Sequence, residues 1–202
     1  MTDFTTICDN TLSVSFLRRT AGGDAIEIAS ALKRSERIAE DPAISSGYTV
    51  AEATFHLSKD SLETPPEVRD QLLDAQSKLW TITEVQTSEA TERWICRVRC
   101  VTLTPATTET CQMQEYVYSK DADGATVRTT RNAWLGPVSI TLAERRRENG
   151  RTLCCYNLAM LSDYATGVHH FFALDDGTVL RVSKSILQDP LTGLQVVEAV
   201  NH

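Results

Sequence analysis

The chain of 202 residues is 42% apolar and carries a formal charge of −7, with a pI near 5.1. That length can bury one large core or two small ones. The acidic balance excludes a protein whose main task is to coat nucleic acid through its phosphates, though not one past which DNA slides. No apolar run reaches the roughly 18 residues of a membrane span, and the opening MTDFTTICDN lacks the basic and apolar blocks of a signal peptide. A protein kept in the cytosol, without membrane contact, is expected.

In chain order, LSVSF sets Leu12, Val14 and Phe16 against Ser13 and Ser15, the two-residue period of a half-buried strand. ALKRSERIA (31–39) combines helix formers and predicts a short helix. VAEATFHLS alternates again, with Ala51, Ala53, Phe55 and Leu57 opposite Glu52, Thr54, His56 and Ser58. PPEVRDQLLDAQ (65–76), with proline in its first turn, predicts a second short helix. LWTITEV leads through a polar stretch to WICRVRC, where Trp94, Cys96, Val98 and Cys100 share a face and Ile95, Arg97 and Arg99 take the other. LTPATTETC has no clear long period and marks a link between about Thr102 and Gln112. QEYVYSKDADGATVR then reads as strand, glycine turn and strand, and DDGTV (175–179) as the same kind of turn.

Few residues suggest chemistry. Six cysteines (Cys8, Cys96, Cys100, Cys111, Cys154, Cys155) in a reducing compartment are expected to be buried small hydrophobes. Asp121 and Asp123 stand at the first and third places of a calcium loop, but Thr126 fills the sixth place, where glycine is needed, and Asn132 the twelfth, where glutamate is needed. A type I′ or bulged turn accounts for them instead. Adjacent Cys154 and Cys155 point to opposite faces of a strand and do not chelate together with His169 and His170. Cys96 and Cys100 lie about 13 Å apart at strand rise, too far to share a metal. There is no G-x-S-x-G elbow, glycine-rich phosphate loop or H-E-x-x-H. His56, a base if paired with Asp60, is expected to be solvated. No catalytic residue, cofactor or metal is expected, and the chain is not expected to be an enzyme. The densest charge cluster is ERRRENGR. There Arg145, Arg146, Arg147 and Arg151 either contact an acidic neighbour or phosphate, or form a solvated connection closed by Asn149 and Gly150.

The two halves repeat. Gly23 and Gly124 are offset by 101 residues, Leu57 and Leu161 by 104, and Trp80 and Leu180, like Trp94 and Leu194, by 100. Residues 1–105 and 106–202 are therefore expected to be two tandem, small β-barrel-like domains, mainly β with one or two short helices. Trp80 and Trp94 are expected in the first core, with Leu180 and Leu194 in the matching places of the second.

The order TFHLSKDSL, a short linker, KLWTITEV, a polar hairpin and WICRVRC resembles the bacteriophage head-tail connector proteins of the head-closure or stopper type. In these an alternating strand leads through an aspartate or glycine turn to a tryptophan-led strand and a last strand rich in arginine. YVYSKDADGATVRTTRNAW, followed by LAERRRENGR and DDGTVLRV, is similar to the opening and middle of the same family. Such proteins are commonly single units of about half this length. The resemblance implies a structural protein of the virion that forms a homo-oligomeric ring, binds the portal or adaptor ring and tail proteins, and lets packaged DNA pass through its lumen without sequence-specific contacts. A doubled unit favours a hexamer, with twelve barrels toward a twelvefold portal and sixfold symmetry toward the tail, over a dodecamer. A tail-tube, tail-terminator or capsid-decorating protein is the alternative.

Overall fold

The computed structural model describes residues 11–19, 24–39, 47–148 and 150–201. The described residues are mainly strand and fall into two compact units, whose main division lies between Thr102 and Leu103, with Gly47 and Tyr48 grouped with the second. The first carries β1 (Thr11–Leu17), β2 (Ile26–Ala39), β3 (Tyr48–Ser58), β4 (Gln71–Asp74), β5 (Leu79–Ser88) and β6 (Arg93–Leu103). The second carries β7 (Thr108–Lys120), β8 (Thr126–Glu148), β9 (Arg151–Leu161), β10 (His170–Ala173), β11 (Val179–Gln188) and β12 (Leu194–Asn201). Each set closes into a barrel, in the order β1-β2-β3-β6-β5-β4 and, on the same circuit, β7-β8-β9-β12-β11-β10.

Alternation fills the barrels. Val14 and Phe16 of β1, Phe55 and Leu57 of β3, Leu72 of β4, Trp80 and Ile82 of β5, and Cys96 and Val98 of β6 all point inward and are buried. Met113, Val138, Leu158, Met160, Phe172, Leu180 and Val197 form the second core. Each ring is closed by an antiparallel seam between its first and fourth strands. Phe16 faces Leu72 in the first seam, and Met113 faces Phe172 in the second.

Both predicted helices are strands or turns. Residues 31–39 form the outer part of β2, whose charged side chains sit in cross-strand pairs such as Arg37 with Glu52. Residues 65–76 comprise a turn, the four-residue β4 and the start of the next turn. Among the described residues the helical segments are two three-residue 3-10 turns, Lys59–Ser61 and Pro105–Thr107. β7 begins at Thr108, inside the stretch read as a link. Among the described residues, no helix is long and apolar enough to cross a membrane.

The correspondence between the barrels extends to single residues. Leu72 faces Trp80 and Phe172 faces Leu180. One bulge interrupts β5–β6 between Ile82 and Glu84, and another interrupts β11–β12 between Val182 and Lys184. Two sequence landmarks shift by one residue. The bulge register aligns Cys96 with Val197 and Val98 with Ala199, all buried, so Trp94 corresponds to Gln195 and not to Leu194. Leu57, fully buried, corresponds to Met160, whereas Leu161 is exposed. A one-residue slip in a strand exchanges inside for outside. Trp94 is half-buried against the first core, and Leu194 is buried. Gly23 lies outside the described residues.

Trp80 sets the first core's polar end. It is fully buried, meets Phe55 edge-on with ring centroids 5.9 Å apart, and donates its indole N–H to Asp74 Oδ2 at 2.8 Å. Burial alone would raise the Asp74 carboxyl. The Trp80 N–H, the backbone N–H groups of Lys78 and Gln76, and the Lys33 ammonium outweigh it and hold the group below the usual carboxylate range. In the second barrel the matching places hold Leu174 and Leu180, an apolar pair where the first has a hydrogen-bonded one.

Two outcomes follow. Asp74→Leu strands a buried indole N–H and leaves Lys33 with Glu36 as its remaining partner, and should cost about 2 kcal/mol in urea unfolding. The contribution of ionised Asp74 is present above an unfolded value of about 3.9 and is lost as pH falls through the lower folded value, so wild type and variant should converge in acid. Ser77 has φ +60° where Gly177 of the equivalent turn has φ +83°. Ser77→Gly should therefore leave stability unchanged or raise it by up to about 1 kcal/mol, because glycine meets no Cβ clash there.

Candidate functional site

The chemically richest place is the corner where the closing seam meets the turn before the fourth strand. In the first barrel that turn runs from Glu67 to Asp70: the Asp70 N–H bonds the Glu67 carbonyl at 3.1 Å, and Asp70 Oδ2 accepts the Glu67 N–H at 2.9 Å. In the second barrel the same turn runs from Gly167 to His170. There the His170 N–H bonds the Gly167 carbonyl at 3.0 Å, and His170 Nδ1 faces the Gly167 N–H at 2.9 Å. Asp70 and His170 are each 2% exposed. Seam register sets a residue of the first strand across from each: Arg18, just past β1, beside Asp70, and Glu115 of β7 opposite His170.

The two corners are satisfied differently. Asp70 lies 3.6 Å from the Arg18 guanidinium and accepts the Arg19 N–H, while Arg18 also donates to the Thr64 and Pro65 carbonyls. In the second corner Glu115 Oε1 is held by Arg131 of β8, with Nε at 2.9 Å, and this ion pair keeps the carboxyl below its ordinary value. Glu115 Oε2 turns to the histidines, 3.7 Å from His170 Nε2 and 4.0 Å from His169 Nε2. The imidazoles lie with centroids 3.8 Å apart, and Tyr164 meets His170 edge-on. Burial, then the neighbouring His169, holds the His170 imidazole below its usual value, with its Gly167 contact and Glu115 acting the other way. Glu115, His169 and His170 present one ligand atom each within 4.8 Å of one another.

The residues singled out by sequence are scattered. Arg145, Arg146 and Arg147 are exposed near the end of β8, and Arg151 begins β9 across from Glu148. The cluster is thus a strand-paired hairpin arm and not an irregular connection. Strand alternation sends Arg145 and Arg147 to one face and Arg146, 3.7 Å from Glu144, to the other. Asn149 lies outside the described residues, as does Cys8. Cys96, Cys100, Cys111 and Cys155 are buried and Cys154 is half-buried. Burial pushes the thiol of Cys96 up to about 12 and that of Cys111 up to about 11, which leaves them inert as nucleophiles near neutrality. Asp121 Oδ1 accepts the N–H groups of Asp123 and Ala125 in its own turn, with Gly124 at φ +79°, which is the bulged form. Glu115 is the functional candidate that sequence reading missed. It stands 55 residues before His170, and only the seam joins them.

No protein family, curated protein or solved structure matches the chain, so the functional reading rests on its own residues.

His56 is half-buried rather than solvated, and its imidazole is held below its usual value by burial first and then by Arg34 and Arg93. The unfolded chain therefore takes up this proton more readily. Stability should be full above pH 6.5 and decline as pH falls from there toward the folded value. His56→Gln should flatten that decline in thermal melts recorded between pH 7 and 5.

Proposed function

We propose that the chain is a structural protein of a tailed-bacteriophage virion, a head-tail connector of the neck that assembles as a homo-oligomeric ring and extends and closes the DNA channel between portal and tail. The observation that carries this reading is a closed barrel used twice on one circuit, whose second copy sends out long arms. β8 spans 23 residues where its counterpart β2 spans 14. Residues 118–132, forming most of the β7–β8 hairpin tip, and residues 142–147 of the β8–β9 hairpin are exposed throughout. Tyr118, Val127, Leu135 and Leu142 are apolar side chains on or beside them.

A two-stranded ribbon bathed on both faces gains little from its own folding. Arms of this kind suit burial against a neighbouring subunit, and they are the means of association left to a barrel without free edges. The resemblance of TFHLSKDSL, KLWTITEV and WICRVRC to head-closure proteins points the same way. An overall charge of −7 suits a lumen that repels the DNA backbone and lets it slide, leaving Arg145, Arg146, Arg147 and Arg151 for acidic protein neighbours.

A hexamer presents twelve barrels on six chains, matching a twelvefold portal to a sixfold tail. Native mass measurement of the purified ring, or imaging of the neck without imposed symmetry, should give six copies. Twelve would retain the neck and reject the hexamer, and a protein that stays monomeric at every concentration would reject both. Replacing the four arginines by alanine should weaken assembly at low salt and remove most of its salt dependence, read by sedimentation against wild type. An unchanged ring at low and high salt assigns the arm to solvent.

A further inference from the structure

We propose that Glu115, His169 and His170 form a binding site for a divalent transition-metal ion, with zinc the best match, that clips β7 to β10 across the closing seam of the second barrel. The site lies outside everything the virion reading requires and stands or falls separately from it.

Three observations carry it. First, the donor atoms converge. Glu115 Oε2 lies 3.7 Å from His170 Nε2 and 4.0 Å from His169 Nε2. Ligands about 2.0 to 2.1 Å from a tetrahedral ion stand about 3.3 Å apart, whereas this set spans up to 4.8 Å, so closing on a common ion requires a side-chain rotation of roughly an ångström or more. His169 is 63% exposed along its side chain and has room to make it.

Second, His170 Nε2 is buried and has no hydrogen-bond partner, although its side chain is only 1% exposed. An orphaned polar atom inside a folded core costs free energy unless something fills the place beside it. The other ring nitrogen sits against the Gly167 backbone, 2.9 Å from its N–H and 3.2 Å from its carbonyl, and metal binding selects the tautomer in which Nδ1 donates to the carbonyl and the Nε2 lone pair faces Glu115. Metal-bound histidines are held in this way, with the distal N–H given to a backbone carbonyl.

Third, the first barrel supplies an internal control. Its equivalent corner carries Arg18 and Asp70, and there the buried group accepts N–H bonds from Arg19 and Glu67 beside a guanidinium 3.6 Å away. The Asp70 carboxylate is thus satisfied without a ligand, although Nε of the adjacent Arg69 is buried without a hydrogen-bond partner. The second has exchanged the fixed cation for two imidazoles and moved the carboxylate across the seam, which creates a donor set where an ion pair stood. Arg131 orients Glu115 by holding Oε1 and leaves Oε2 free, but its charge opposes a second cation. Affinity is therefore expected in the micromolar range, well below that of a four-thiolate site, and the open coordination positions are filled by water.

The test uses the full chain, stripped with chelator and dialysed. Titration with cobalt chloride should give tetrahedral d–d absorption that saturates at one equivalent and is displaced by zinc chloride. Saturating zinc should raise the melting temperature by about 3–6 °C. Glu115→Gln, His169→Gln and His170→Gln should each weaken cobalt binding by about tenfold or more, and His56→Gln should not. Should His170→Gln fail to fold, Glu115→Gln and the exposed His169→Gln decide alone. Absence of cobalt absorption up to millimolar concentration overturns the site, and so does one-equivalent binding that survives both of those variants.

Discussion

Closing six strands into a ring pairs every strand on both sides. That single requirement governs the rest of the molecule. It fixes the inward residues, because each ring has one interior and alternation must serve it: Phe16, Phe55, Leu72 and Trp80 in one barrel, Met113, Leu158, Phe172 and Leu180 in the other. It makes the seam between first and fourth strands the place where residues remote in sequence must meet, so that Arg18 finds Asp70 and Glu115 finds His170. It also removes the free backbone edges by which sheets usually join, and leaves association to hairpins that overrun the wall.

Within this shared frame the two barrels differ by pairs of residues more than by single ones. Trp80 and Asp74 are a hydrogen-bonded couple where Leu180 and Leu174 are an apolar one. Either couple suits a buried site, whereas a mixture leaves a polar group without a partner. Across the last hairpin, Glu84 faces Arg97 at 2.9 Å and, at the matching positions, Lys184 bonds Glu198 at 3.1 Å, so the same ion pair appears with its charges exchanged. Even the hydroxyl beside it persists, with Thr83 donating to the Arg97 carbonyl and Ser183 to the Glu198 carbonyl.

Much of this architecture is legible in the residues. β1, β3 and β6 announce themselves through strict alternation, and the turns at Gly124 and Gly177 through their aspartates. Residues 31–39 mislead because β2 overruns the barrel there. Arg34, Glu36, Arg37 and Ile38 face solvent, and Arg and Glu at such positions carry helical propensity without an apolar period to contradict it. β4 misleads for another reason: four residues are too few to display a period, and the prolines before it suit a helix start as well as a turn. Offsets between the halves survive only to within one residue, since the barrels' bulges and loops differ. The histidine pair is plain in the sequence, but its chemistry depends on Glu115, and no spacing rule spans a seam.

The exchanged polarity has a consequence for how the chain finds its fold. Tandem units on one circuit risk trading strands during folding, because each offers the other a slot of the right length and pattern. A β11 segment entering the first ring beside β6 would set Lys184 against Arg97, and a β5 segment entering the second would set Glu84 against Glu198. One seam behaves alike: β7 carried to β4 brings Glu115 to Asp70. Like charges placed directly opposite one another destabilise a strand pair. The same reversals that pair opposite charges within each barrel thus act as a proofreading code, by which each strand is admitted to its own ring and turned away from its neighbour's.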